Sequence, residues 1–117
     1  LEPGGTIYIE VPNVNDALLT LYNVDSCRRF LFFKDHLHYF CRNSLAEVIR
    51  RAGFETLGIW GHNRFSLANH LYWLANGEPN GHKIWSFLET PALKHEYARA
   101  LAAADISDSL VAHVRLP

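Results

Sequence analysis

Apolar β-branched residues stand at every second position through Ile7, Ile9 and Val11, and side chains branched at Cβ favour a strand. Pro3 fixes φ and Gly4-Gly5 supplies conformations closed to other residues, so the chain turns before this strand, and Pro12 ends it. A second period appears at Leu45, Val48, Ile49 and Ala52, with Glu47, Arg50 and Arg51 on the other side. Asn43 or Ser44 stands at its start and Gly53 just past its end, which predicts an amphipathic helix over 44–52. Residues 54–60 and 64–74 read as two strands joined by Gly61-His62-Asn63, with Phe65, Leu67, Leu71 and Trp73 on one face of the second. An antiparallel hairpin is the expected joining.

The remaining signals are shorter. Residues 16–22 carry apolar positions at helical spacing and predict two turns of helix. Residues 23–43 read as a long connection rich in Phe, Tyr and His, centred on Phe30-Leu31-Phe32-Phe33. So aromatic a stretch is not left in solvent, which predicts a cover over a site. The turn cluster 76–81 divides the chain into 1–76 and 77–117. Beyond it, 83–88 predicts one or two helical turns. Thr90-Pro91 opens a helix with Leu93, Tyr97, Ala100, Leu101 and Ala104 as its apolar stripe, and 107–114 reads as a short final helix. The tail is therefore expected to be a helical extension.

Length and composition narrow the classes. At 117 residues, 49% of them hydrophobic, the chain is one domain's worth and can build a core. A net charge of -1 gives no electrostatic footprint for nucleic acid. No apolar run approaches the roughly 20 residues of a membrane span, and no signal peptide is seen. Cys27 and Cys41 are too few and too far apart for a disulfide framework or a zinc ribbon, so reduced thiols in a cytoplasmic protein are expected. The start at Leu1 and the lack of any Met read as a processed piece of a longer protein.

Three ordered blocks carry a family resemblance. Leu1-Glu2-Pro3-Gly4-Gly5 with a strand ending Glu10-Val11-Pro12-Asn13, then Asp35-His36-Leu37-His38-Tyr39-Phe40 with Ser44-Leu45, then Arg51-Ala52-Gly53-Phe54, resemble the class I S-adenosylmethionine-dependent methyltransferases from their fifth strand onward. The likeness covers about residues 1 to 75. It implies an α/β fold: the carboxyl-terminal part of a Rossmann-like sheet, built of strand, helix and antiparallel hairpin, in which a reversed seventh strand lies between the fifth and sixth. The Gly-rich loop and the acidic residue that hold S-adenosylmethionine in that family have no counterpart here, so the cofactor is expected to be bound mainly by a missing amino-terminal half. The segment Asn69-His70-Leu71-Tyr72-Trp73-Leu74 with its following Gly-His turn resembles an extension in methyltransferases that act on sugars or other small metabolites.

The resemblance implies methyl transfer to a small-molecule acceptor, most simply at oxygen, where the enzyme aligns acceptor with donor and removes a proton. His36 matches the family's histidine at the pocket mouth and is the candidate for that proton, a task suited to a group titrating near neutrality. A structural hydrogen-bonding role is the alternative. Glu10 and Asn13 stand at the carboxyl end of a strand, where α/β sheets bind ligands, although Asn13 could equally cap the helix expected after it. His38 and Tyr39 complete the acceptor-binding candidates, Tyr39 by stacking. Arg64 and His70 offer an anion site, and His36, His38, His70 and His82 a metal site, but His36 and His38 point oppositely on an extended segment. A non-enzymatic interaction module, dimerising through an exposed sheet edge or the helical extension, is the competing reading.

Overall fold

The computed structural model of the chain describes residues 2–33 and 39–117. The Pro3-Gly4-Gly5 turn is closed by a hydrogen bond from Gly5 N to Glu2 O at 2.8 Å, with Gly4 at a φ of 83° that only glycine adopts without strain. It leads into strand β1, Thr6–Pro12. Then come helices α1, Asp25–Phe33, and α2, Arg42–Arg51, and strand β2, Glu55–His62. Helix α3 spans Leu67–Asn76 and α4 is one turn, Gly81–Ile84, followed by a 3-10 turn at Ser86–Leu88. Helix α5, Pro91–Ala103, and strand β3, Ser109–Arg115, close the chain.

The fold is mixed α/β around a three-stranded sheet of order β1-β3-β2. The last strand lies between the other two and runs antiparallel to both, so β1 and β2 point the same way. Register places Pro12 and His62 on either side of Ser109. The carboxyl ends of β1 and β2 therefore meet at the start of β3. Leu110, Ala112 and Val114 of β3 are fully buried against Leu45 and Ile49 of α2, with Ile9, Val11 and Ile59 packed around them. Each large member of such a cluster stabilises the fold by about 1.5–3 kcal/mol relative to exposure. A second cluster, Leu18, Cys27 and Trp73 with Phe30 and Leu31, holds α1 against α3.

Strand β1, helix α2, strand β2 and the helix capped by Thr90 follow the periodicities of the sequence. Four expectations are corrected. Residues 67–76 form a helix, not the second strand of a hairpin. Ser66 caps it through its Oγ, which accepts from Asn69 N, and Gly77 ends it at a φ of 66°. Residues 65–76 include no β-branched side chain, whereas Leu67, Ala68, Leu71, Leu74 and Ala75 are strong helix formers. Residues 109–115 form the central strand instead of a final helix, and this part of the tail belongs to the sheet rather than to a helical extension. Within 23–43, the stretch Asp25–Phe33 is helical, whereas 16–22 is a run of turns and not a helix.

Candidate functional site

Asn13 begins the site. Directly after β1 it is buried, donates from Nδ2 to Ser107 O at 2.9 Å, and accepts at Oδ1 from Asn15 N at 3.1 Å. Its own amide donates to Asp108 O at 3.0 Å. Asn13 thus fastens the end of β1 to the entry of β3 and bends the chain into the turns that carry Asp16. Asp108, one residue before β3, accepts from the amides of Arg64 and Phe65 at 2.9 Å, fixing the loop between β2 and α3. Phe30 and Leu31 of α1 close the site from the side.

Two cavities open here. One, of about 250 Å³, is lined by Asp16, Cys27, Phe65, Asn69, Trp73 and His82, among others. The other, of about 230 Å³, is bounded by Asn13, Asp16, Tyr39, Arg64 and Asp108. Asp16, Phe30, Leu31 and Phe65 line both. The aromatic segment expected to cover a site supplies Phe30 and Leu31 to these walls.

The two carboxylates have unequal surroundings. Burial pushes Asp16 up to about 7, the Leu18 amide at 2.9 Å draws it back only in part, and the charge of Asp108 raises it further. Burial also raises Asp108, but the amides of Arg64 and Phe65, the Ser109 hydroxyl and His62 all favour its ionised form. Asp108 thus has more partners for its ionised form than Asp16 has. Burial raises the Cys27 thiol to about 12, with a further push from Asp16, and burial likewise raises the Tyr39 phenol. Near neutral pH these two stay uncharged.

Of the residues singled out in the sequence, Asn13 and Tyr39 line the second cavity, and Tyr39 donates to Leu31 O at 3.0 Å. Glu10 lies on the sheet outside both cavities and pairs with Arg64, Nε to Oε2 at 3.2 Å. His36 and His38 lie outside the described residues. His70 is fully buried, its Nδ1 2.6 Å from the Tyr97 hydroxyl, which in turn lies 3.0 Å from that of Tyr22. His82 lies 3.4 Å from Asn69 Nδ2. Among the described residues no group of three or more His, Cys, Asp or Glu could hold a metal ion, and no helix is long and apolar enough to cross a membrane.

Sequence reasoning missed Asp16 and Asp108. Asp16 falls in the helix expected over 16–22 and Asp108 in the one expected over 107–114. The alternation Leu110, Ala112, Val114 after Asp108 was the signal for a strand, which would have brought that carboxylate to a strand end.

No family model matches the chain, and no curated protein matches it.

Proposed function

We propose that the chain is the carboxyl-terminal part of a class I S-adenosylmethionine-dependent methyltransferase that methylates a small-molecule acceptor at oxygen. The observation that carries this reading is the sheet order β1-β3-β2, with the last strand antiparallel between two strands of common direction. That is the slot of the reversed seventh strand in the family that the sequence resembles. The cavities support the reading further, because they open at the carboxyl ends of β1 and β2, where α/β sheets bind ligands.

At about 250 and 230 Å³ the cavities fall below the roughly 300–1,000 Å³ of ordinary ligand pockets. They suit a compact acceptor and not the whole cofactor, whose seat belongs to the missing half. In this scheme Asn13 and Tyr39 help to shape the acceptor site, Glu10 and His38 are further acceptor contacts, and His36 takes the acceptor's proton. Isothermal titration with S-adenosylmethionine tests the assignment. The chain alone is expected to show no micromolar binding, and the protein translated with its upstream coding sequence is expected to bind at micromolar concentration. Micromolar binding to the chain alone overturns the assignment to a half. No binding by the longer protein overturns the methyltransferase reading.

One observation favours the interaction-module reading. The sheet face opposite α2 carries Tyr8 and Trp60, 67% and 41% exposed, with the Tyr8 ring stacked on His113 at 4.3 Å. A longer protein that binds no cofactor yet forms a stable dimer through this face would favour that alternative.

A further inference from the structure

Asp16 is a carboxylate with 6% of its surface exposed, set where two cavities meet. Its one side-chain hydrogen bond within the described residues comes from Leu18 N to Oδ1 at 2.9 Å. The elements packed around it bring several titratable groups near. From the start of β3 comes Asp108, another carboxylate. The Arg64 guanidinium on the rim is paired with Glu10 at 3.2 Å, and His82, at the far wall, lies 3.4 Å from Asn69 Nδ2. From α1 and the stretch before α2 come the Cys27 thiol and the Tyr39 phenol, and from α5 the Tyr97 phenol, all neutral near pH 7 and negative when ionised, whereas the Arg28 guanidinium of α1 is paired with Asp25 at 2.9 Å. His62 acts on Asp108 and not on Asp16. No cation among the described residues balances Asp16.

A buried carboxylate is costly without a positive partner. Phe30, Phe65 and Trp73 give the first cavity an aromatic part of its wall, beside aliphatic Leu18, Leu31 and Pro79 and polar Asn69, Asn80 and His82. Aromatic faces attract cations and give an anion nothing. A neutral hydroxyl could accept or donate one hydrogen bond at Asp16 but would leave its charge uncompensated.

We propose that these joined cavities bind a compact organic cation, an ammonium group seated against the Asp16 carboxylate with its apolar body on Phe30, Phe65 and Trp73. The site needs no cofactor and stands whether or not the chain belongs to a methyltransferase. Within that reading, the ammonium is the handle by which the acceptor is held while its hydroxyl is methylated.

The test titrates the chain with benzylamine and with benzyl alcohol, which share a shape and differ in charge. At about pH 8 the amine should bind at least about tenfold more tightly, the equivalent of one charge-assisted hydrogen bond. At about pH 5.5, where Asp16 holds its proton and the amine is still charged, the preference should shrink several-fold. Asp16→Asn keeps the size and the acceptor for Leu18 N and should abolish the preference. If that variant does not fold, the pH comparison on the unaltered chain decides. Equal affinity for amine and alcohol, binding of neither at millimolar concentration, a preference unchanged by pH, or one that survives Asp16→Asn would each overturn the proposal. None of these readouts uses S-adenosylmethionine, so failure here leaves the methyltransferase assignment standing, and the reverse holds too.

Discussion

Asp16 and His70 are buried titratable groups whose proton affinities move in opposite senses. The rise of Asp16 from 3.8 to about 7 corresponds to on the order of 4 kcal/mol. Its folded form holds the proton more tightly than its unfolded form, so its contribution to stability falls as pH rises from about 4 to about 7 and is flat above. Burial lowers His70 from 6.5 to about 4, on the order of 3 kcal/mol. The folded state there holds the proton less tightly, so stability is lost as pH falls from about 6.5 to about 4. The two effects oppose one another across most of that range. Asp16→Asn is expected to raise stability at about pH 8 by roughly 2–4 kcal/mol and to change it little at about pH 4, measured by urea unfolding at each pH. Tyr97→Phe leaves His70 Nδ1 and the Tyr22 hydroxyl without their shared partner, at a cost of about 1–3 kcal/mol in the same assay. Of this residue-level chemistry, Asn13 was legible, because Pro-Asn after a β-branched run marks a strand end. The carboxylates were not, because a buried acid looks the same in sequence as one that caps a helix.

Among the elements, β1, α2, β2 and α5 were legible because each combines one clean period with an end signal. Pro12 stops β1, Gly53 follows α2 at a φ of 86°, and Thr90 Oγ1 accepts from Leu93 N at the start of α5. Helix α3 was misread because Phe65, Leu67, Leu71 and Trp73 fit a period of two, while its real determinants were Ser66 and Gly77 at its ends. Strand β3 was misread because its place in the sheet depends on partners about 50 and 100 residues away that no local pattern reports. Close packing of α4 on α3 gives an element-scale prediction. A side chain at Gly81 would run into Tyr72 Cβ and Ala68 O and come within 2.9 Å of Asn69 Cα. Gly81→Ala should therefore destabilise by about 1–3 kcal/mol, seen as a lower melting temperature. Leu110→Ala, at a fully buried position in the central strand, should cost about 2–5 kcal/mol. If Leu110→Ala melts with the unaltered chain, β3 is not the centre of the core.

For the whole molecule, one face of the sheet packs on α2 and the other, among the described residues, leaves Tyr8 and Trp60 exposed. Leu110, Ala112 and Val114 face α2, whereas Tyr8, Trp60 and His113 lie on the open side. Among the described residues, β1 and β2 each pair on one edge only. An unpaired edge beside an aromatic patch invites pairing with another chain. The isolated chain is therefore expected to self-associate in sedimentation at high concentration, and Tyr8→Lys with Trp60→Lys to shift it toward monomer. A monomer at every concentration would mean that this surface is stable in water alone.

On the proposed function this chain completes a methyltransferase, and methyl transfer itself is the decisive assay. Labelled S-adenosylmethionine would be given to the protein translated with its upstream coding sequence, together with a pool of small metabolites. Label is expected in the small-molecule fraction, reduced about 100-fold or more by His36→Ala, the usual scale for loss of a general base. No label transferred, with no cofactor bound, would contradict the proposed function.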